Sequence, residues 1–161
     1  MKIGFIGTGL MGTPMIKNLL KSKHQISIFN RTISKAKKLK KYGAYLSYKI
    51  EELVKDKEII ITMLTDDKAV NDIIRSKTFL NNVCKQTTVI DMSSTKPSTA
   101  LDNYKTLKKK GVYFLDAPVS GGTKGAESAS LAIMVGGEKK IYKKNLKVLK
   151  MLGIPNYVGK P

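Results

Sequence analysis

The chain has 161 residues, 42% of them hydrophobic and 26% charged, with a formal charge of +18 at pH 7 and a single cysteine. That length is enough for one well-packed domain and short of two ordinary ones. The composition excludes a disordered chain, no apolar run is long enough to span a bilayer, and a lone Cys84 excludes an internal disulfide framework, so a cytoplasmic, non-membrane protein is expected.

Short β-branched runs alternate with amphipathic stretches along the chain. Lys2–Ile6 predicts a strand, Met11–Lys21 a helix and Gln25–Phe29 a second strand. Ser34–Tyr42 reads as helical, Ala44–Leu46 as a short strand and Ile50–Lys55 as a helical turn or two. Glu58–Thr62 is the most apolar strand and precedes a helix over Asp66–Arg75. Thr87–Asp91 predicts a strand, Pro97–Lys110 a helix with proline in its first turn, and Val112–Asp116 another strand. A late strand at Ser130–Val135, a helix at Glu138–Met151 and a last strand at Ile154–Val158 complete the reading. This alternation implies an α/β fold: a doubly wound, mainly parallel sheet with helices on both faces. The end of the chain, directly after a strand, reads as a domain boundary.

The positive charge points less to nucleic acid than its size suggests. Only Arg31 and Arg75 of the 30 basic residues are arginine, the side chain that forks onto phosphates and base edges. The lysines are spread over presumed helix surfaces, so nucleic acid is not the expected partner. No spacing of His, Cys, Asp and Glu suggests a metal site.

Gly7-Thr8-Gly9-Leu10-Met11-Gly12 fits G-x-G-x-x-G, follows the first strand directly and opens the first helix. In that setting Gly7 permits the tight turn, Gly9 lets a pyrophosphate approach the backbone, and Gly12 allows close helix–strand packing. The free amides and the positive helix end then hold the phosphates. The end of the second strand bears on which dinucleotide is bound. An NAD-selective site wants an acid there, whereas this chain offers Asn30-Arg31-Thr32 and has no acid between Gln25 and Leu46. Such a set suits a 2′-phosphate, so NADP(H) is expected over NAD(H).

Four motifs extend this pattern: GFIGTGLMG at Gly4–Gly12, TMLTDD at Thr62–Asp67, DMSSTKP at Asp91–Pro97, and FLDAPVSGG at Phe114–Gly122, continuing as TKGAESASLAIMVGG to Gly137. Over essentially its whole length the chain resembles the β-hydroxyacid dehydrogenase family, which includes 3-hydroxyisobutyrate dehydrogenases, tartronate semialdehyde reductases and glyoxylate/succinic semialdehyde reductases. The resemblance implies a Rossmann-like NAD(P)-binding domain over residues 1–161, with Met63 and Leu64 on the coenzyme ribose and Ser94 beside the nicotinamide. It makes Ser120-Gly121-Gly122 the substrate loop, and consecutive amides flanked by glycines plus one hydroxyl do form a cradle for a carboxylate. Asp116 is expected to satisfy loop amides at its strand end, and Ala129, standing where the pattern carries glycine, to tighten a turn.

The resemblance also implies a small β-hydroxy acid or semialdehyde as substrate and a homo-oligomeric full-length protein. A second, all-helical domain beyond Pro161 would carry the catalytic lysine, so no catalytic residue is nominated within the chain. 6-Phosphogluconate dehydrogenase shares the glycine loop, the strand end and the SGG loop and is the enzymatic rival. A non-catalytic dinucleotide-binding or nucleic-acid-associated module is the rival from another class.

Overall fold

The computed structural model describes residues 1–160. Its strands are β1 (Lys2–Ile6), β2 (Gln25–Phe29), β3 (Tyr45–Leu46), β4 (Ile59–Thr62), β5 (Thr88–Asp91), β6 (Tyr113–Asp116), β7 (Val119–Ser120), β8 (Leu131–Gly137) and β9 (Gly153–Gly159). The helices are α1 (Gly12–Leu20), α2 (Ile33–Lys37), α3 (Ile50–Val54), α4 (Asp67–Ile74), α5 (Lys77–Asn82), α6 (Pro97–Lys109), α7 (Gly122–Ser128) and α8 (Lys139–Leu149). The first six strands lie in the order β3-β2-β1-β4-β5-β6 and are parallel throughout. Beyond them the direction reverses. β8 runs antiparallel to β6 and β7, and β9 pairs parallel to β8 on its other edge.

Alternate strand residues feed two cores, as a sheet covered on both faces requires. Ile3, Phe5, Ile59, Ile61 and Ile90 pack with Met15, Ile16 and Leu19 of α1 and Val148 and Leu149 of α8. Ile6, Ile60, Val89 and Phe114 pack with Leu53, Val70, Ile74, Phe79 and Leu107 from α3 to α6. The expected doubly wound sheet is therefore present, with an antiparallel extension that the alternation of elements did not imply.

Three further departures have physical causes. The helical stretch expected over Ser34–Tyr42 splits into α2 and a 3-10 turn at Lys40–Tyr42, because only Ala36 and Leu39 of it are buried and Gly43, at φ +98°, closes the turn. Helix α5 has no signal in the sequence pattern, since it is one short turn and a half fastened by the Ser76 hydroxyl accepting from the Phe79 amide. β7 and α7 have no counterpart among the elements expected from the sequence, since two residues make no period and GTKGAES has no apolar stripe.

The residue ending α7 carries strain. Ala129 lies at φ +54°, ψ +39°, a left-handed conformation that costs a side-chain-bearing residue about 1 kcal/mol and glycine almost nothing. Ala129→Gly is therefore expected to raise stability by about 1 kcal/mol, measurable as a higher urea midpoint with an unchanged slope.

Candidate functional site

β1 and β4 are neighbours in the sheet, yet α1 leaves toward one face and α4 toward the other. The crevice between their carboxyl ends is the topological switch point of an open α/β sheet, where ligands lodge. The amide of Met63 donates to the Ile6 carbonyl at 3.0 Å, so the chain after β4 is tied to the root of the glycine loop.

The three loop glycines differ in what surrounds them. Gly7, at φ +106°, could not carry a Cβ without striking the Met63 carbonyl, and a Cβ on Gly12 would strike the Gly7 carbonyl. Both positions are closed by the protein's own backbone. Gly9 is the opposite case, since a Cβ there would meet nothing within 4 Å. The amides of Gly9, Leu10 and Met11 donate to no acceptor among the described residues, and α1 has neither a capping side chain nor an acid in its first turn. Thr8 contributes a buried hydroxyl without a partner among the described residues. Open space in front of unpaired donors at a helix start fits the pyrophosphate of a dinucleotide.

Asn30 occupies the expected strand end, but its amide is already engaged. Its Oδ1 accepts from the Thr8 amide at 2.9 Å and its Nδ2 donates to the Thr32 carbonyl at 3.0 Å. The side chain braces the glycine loop, with one Nδ2 hydrogen outside these two bonds. Arg31 and Thr32 are exposed, and Arg31 forms no ion pair among the described residues. Lys68 of α4 is close enough for the Arg31 charge to oppose its protonation, although the carboxylate of Asp72 at 2.6 Å dominates and raises the Lys68 amine above its ordinary value. Lys35 and Lys38, which sequence reasoning passed over as solvated surface, join Thr8 and Gly9 in lining a groove of about 620 Å³ along α1. Lys17 and Lys21 of α1 line the same groove, and only this convergence in three dimensions distinguishes the four from the remaining lysines.

Met63 and Leu64 are half-buried at the opposite rim, and the Leu64 amide donates to the Ser93 hydroxyl at 2.9 Å. That bond brings the exposed Ser94 to the same rim. The two acids of TMLTDD are structural. Asp66 caps α4 by accepting from the Ala69 amide at 2.8 Å, which holds its carboxyl below the ordinary range. Asp67 accepts from the Lys96 amide at 2.9 Å and so anchors the entry to α6; the Thr99 hydroxyl, above all, lowers it.

Ser120, Gly121 and Gly122 are exposed where β7 passes into α7. β7 runs in the same direction as β6, so α7, like α1, starts at the carboxyl end of the parallel strands. Asn18 of α1 donates to the carbonyls of Ala126 and Glu127 at 2.7 and 3.3 Å and locks the two helices side by side. Gly121 and Gly122 both have positive φ, +134° and +60°, and the Gly121 amide donates to no acceptor among the described residues. Asp116 departs from expectation: it accepts no loop amide, and its half-buried carboxyl has no hydrogen-bond partner among the described residues. Its loop is held instead by the Ala117 amide donating to the Asp91 carbonyl at 2.7 Å. Among the described residues no cluster of His, Cys, Asp and Glu could hold a metal, and no helix is long and apolar enough to cross a membrane.

A sheet in this strand order, with a glycine loop open at its switch point, defines a dinucleotide-binding domain of the Rossmann type. Comparison with known proteins agrees. The family model described as the NAD binding domain of 6-phosphogluconate dehydrogenase matches residues 2–159, and the chain belongs to that family. It is 39% identical over 153 residues to a 2-(hydroxymethyl)glutarate dehydrogenase of Eubacterium barkeri, covering 94% of this chain and 51% of that protein. It is 34% identical over 154 residues to glyoxylate/succinic semialdehyde reductase 1 of Arabidopsis thaliana, covering 95% and 53%. The structure of a Mycobacterium tuberculosis 3-hydroxyisobutyrate dehydrogenase with L-serine superposes with a TM-score of 0.95 at 31% identity, over 99% of this chain and 54% of that one. The chain thus spans about half the length of the curated relatives it matches.

Proposed function

We propose that this chain is the coenzyme-binding part of an NADP(H)-dependent oxidoreductase acting on a small β-hydroxy acid or semialdehyde. The observation that carries the reading is the Gly9 cradle: unpaired amides facing open space at the switch point, in a chain whose second strand ends on a free arginine and no acid. When bound, the nicotinamide supplies the hydride. The residues of this chain bind and orient. The amides from Gly9 to Met11 hold the pyrophosphate, Arg31 and Thr32 the 2′-phosphate, Met63 and Leu64 the ribose, and Ser94 flanks the nicotinamide. Ser120 and the amides of Gly121 and Gly122 hold the substrate carboxylate, which sets the carbonyl in line with the hydride donor. A second, helical domain in the full-length protein supplies the lysine that delivers the proton to the carbonyl oxygen and much of the contact between protomers. The names of the three relatives given above, dehydrogenases or reductases of small acids and aldehydes, support this substrate class.

The full-length protein, mixed with NADPH and glyoxylate or succinic semialdehyde, or with NADP+ and 6-phosphogluconate, tests the reading through absorbance at the reduced-coenzyme band. Turnover of an aldehyde acid with NADPH is expected. Turnover of 6-phosphogluconate alone would replace the substrate class and leave the coenzyme site standing.

A further inference from the structure

The last residues of β4, β5 and β6 form a row. Thr62 is in register with Asp91, and Asp91 with Asp116, so the three side chains stand together on the α3–α6 face of the sheet. Parallel strands lie about 4.8 Å apart, so the two residues stand side by side on adjacent strands. Asp91 is fully buried. Its Oδ1 accepts from the Thr62 hydroxyl at 2.8 Å and from the Ser93 amide at 3.1 Å, but its Oδ2 has no donor among the described residues. Asp116, its partner in register on β6, also has no hydrogen-bond partner among the described residues.

Among the described residues no ion pair reaches either carboxyl. The charge that bears on Asp91 from α4 is another carboxylate, Asp67. α6 turns Thr99, Ala100, Asn103 and Leu107 onto this face, and β8 brings Gly136 and Gly137. Lys96, ahead of α6, is exposed and offers its backbone amide to Asp67. Two ionised carboxylates side by side without a counter-ion repel each other and leave a buried oxygen unpaired.

We propose that Asp91 and Asp116 share one proton, Asp116 donating it to the Oδ2 of Asp91, and that the pair takes up this proton when an anion binds at Ser120–Gly122. Asp116 is then a positioning residue. It opens the segment that runs through Ala117 and Pro118 into Ser120, and its charge lies behind the loop that must accept a carboxylate. This second half rests on the reading of that loop as the substrate cradle. Burial first, and then the neighbouring Asp91, push the Asp116 carboxyl up to about 6. Burial likewise raises Asp91, against the pull of its own hydrogen bonds. The step belongs to the pair. A bound anion disfavours the second charge further, so binding above pH 6 draws in a proton.

The test uses this chain with its aspartate side-chain carboxyls labelled with ¹³C, titrated from pH 3 to 8, alone and with tartronate as the anion. The Asp116 signal is expected to move near pH 6 and the Asp91 signal to follow the same step. Tartronate affinity should fall roughly threefold to tenfold from pH 5.5 to 7.5, and calorimetry at pH 7.5 should detect proton uptake. Asp116→Asn, whose amide can donate to the Asp91 Oδ2 at any pH, should lose the step and the uptake and bind at pH 7.5 as the parent does at 5.5. Its stability offers a second readout. The folded parent holds the Asp116 proton to about pH 6 and the unfolded chain only to about 3.8, so this contribution favours folding below 3.8 and is lost as pH rises through 6. Asp116→Asn should therefore gain stability relative to the parent between those values and keep the gain above them. An Asp116 signal titrating near 4, independent of Asp91, would overturn the shared proton. Tartronate affinity flat with pH and unchanged in Asp116→Asn would overturn the positioning role. A step near pH 6 with no tartronate binding at any pH would leave the shared proton standing and remove the substrate-cradle reading.

Discussion

Gly9→Ala is expected to fold as the parent chain does and to lose at least roughly 100-fold in coenzyme affinity, through two or more amide-to-phosphate bonds at about 1.5 kcal/mol each. The space that a Cβ would enter at Gly9 is empty of protein, and the residue does not have positive φ, so nothing in the fold resists alanine there. What the methyl removes is the close approach of a phosphate to the free amides. Gly12→Ala is expected to behave in the opposite way. Its Cβ would strike the Gly7 carbonyl, a backbone atom fixed between β1 and the Met63 segment, and overpacking against backbone should cost about 3 kcal/mol of stability. Urea unfolding and coenzyme titration on both variants separate the roles. A Gly9→Ala chain that unfolds, or that binds coenzyme as well as the parent, would remove the cradle argument.

Arg31→Ala is expected to weaken NADPH binding by roughly 10- to 100-fold, the worth of a charge-assisted hydrogen bond or two at about 1.5–3 kcal/mol, and to leave NADH binding unchanged. The guanidinium is exposed and tied to no carboxylate among the described residues, so its removal breaks no internal contact. Being a surface charge, it should also make the NADPH preference shrink as salt is raised. Asn30 gives the control. Because its amide bridges Thr8 and Thr32, Asn30→Ala should weaken both coenzymes through loss of the loop brace, without the selectivity seen at Arg31. Fluorescence titration with each coenzyme distinguishes the two patterns. Equal losses for NADPH and NADH in Arg31→Ala would refute a phosphate-selecting role.

The alternation of strand and helix was legible because each of the six parallel strands is a short β-branched or aromatic run, and the glycine loop because its spacing falls on the first strand-to-helix turn. What stayed hidden depended on neighbours distant in sequence. The reversal of β8 and β9 is set by how β7 and α7 turn the chain, and their residues carry no period. Asn30 read as a phosphate ligand because the loop amide it braces lies 22 residues away. Asp116 read as a loop staple because its partner in register, Asp91, lies on another strand. Ala129 departs from the glycine pattern in the sequence, but its cost lies in its backbone angles, which no sequence pattern carries. Lys35 and Lys38 were indistinguishable from the surface until α2 was placed beside the glycine loop.

The most direct measurement is an amide ¹H–¹⁵N spectrum of this chain recorded as NADPH is added. A dinucleotide held at the switch point should move the amides of Gly7 to Gly12, Arg31, Thr32, Met63, Leu64 and Ser94, and leave the far end of the sheet around β9 untouched. A spectrum that does not change at millimolar NADPH, or that changes only outside this set, would contradict the coenzyme site on which the account stands.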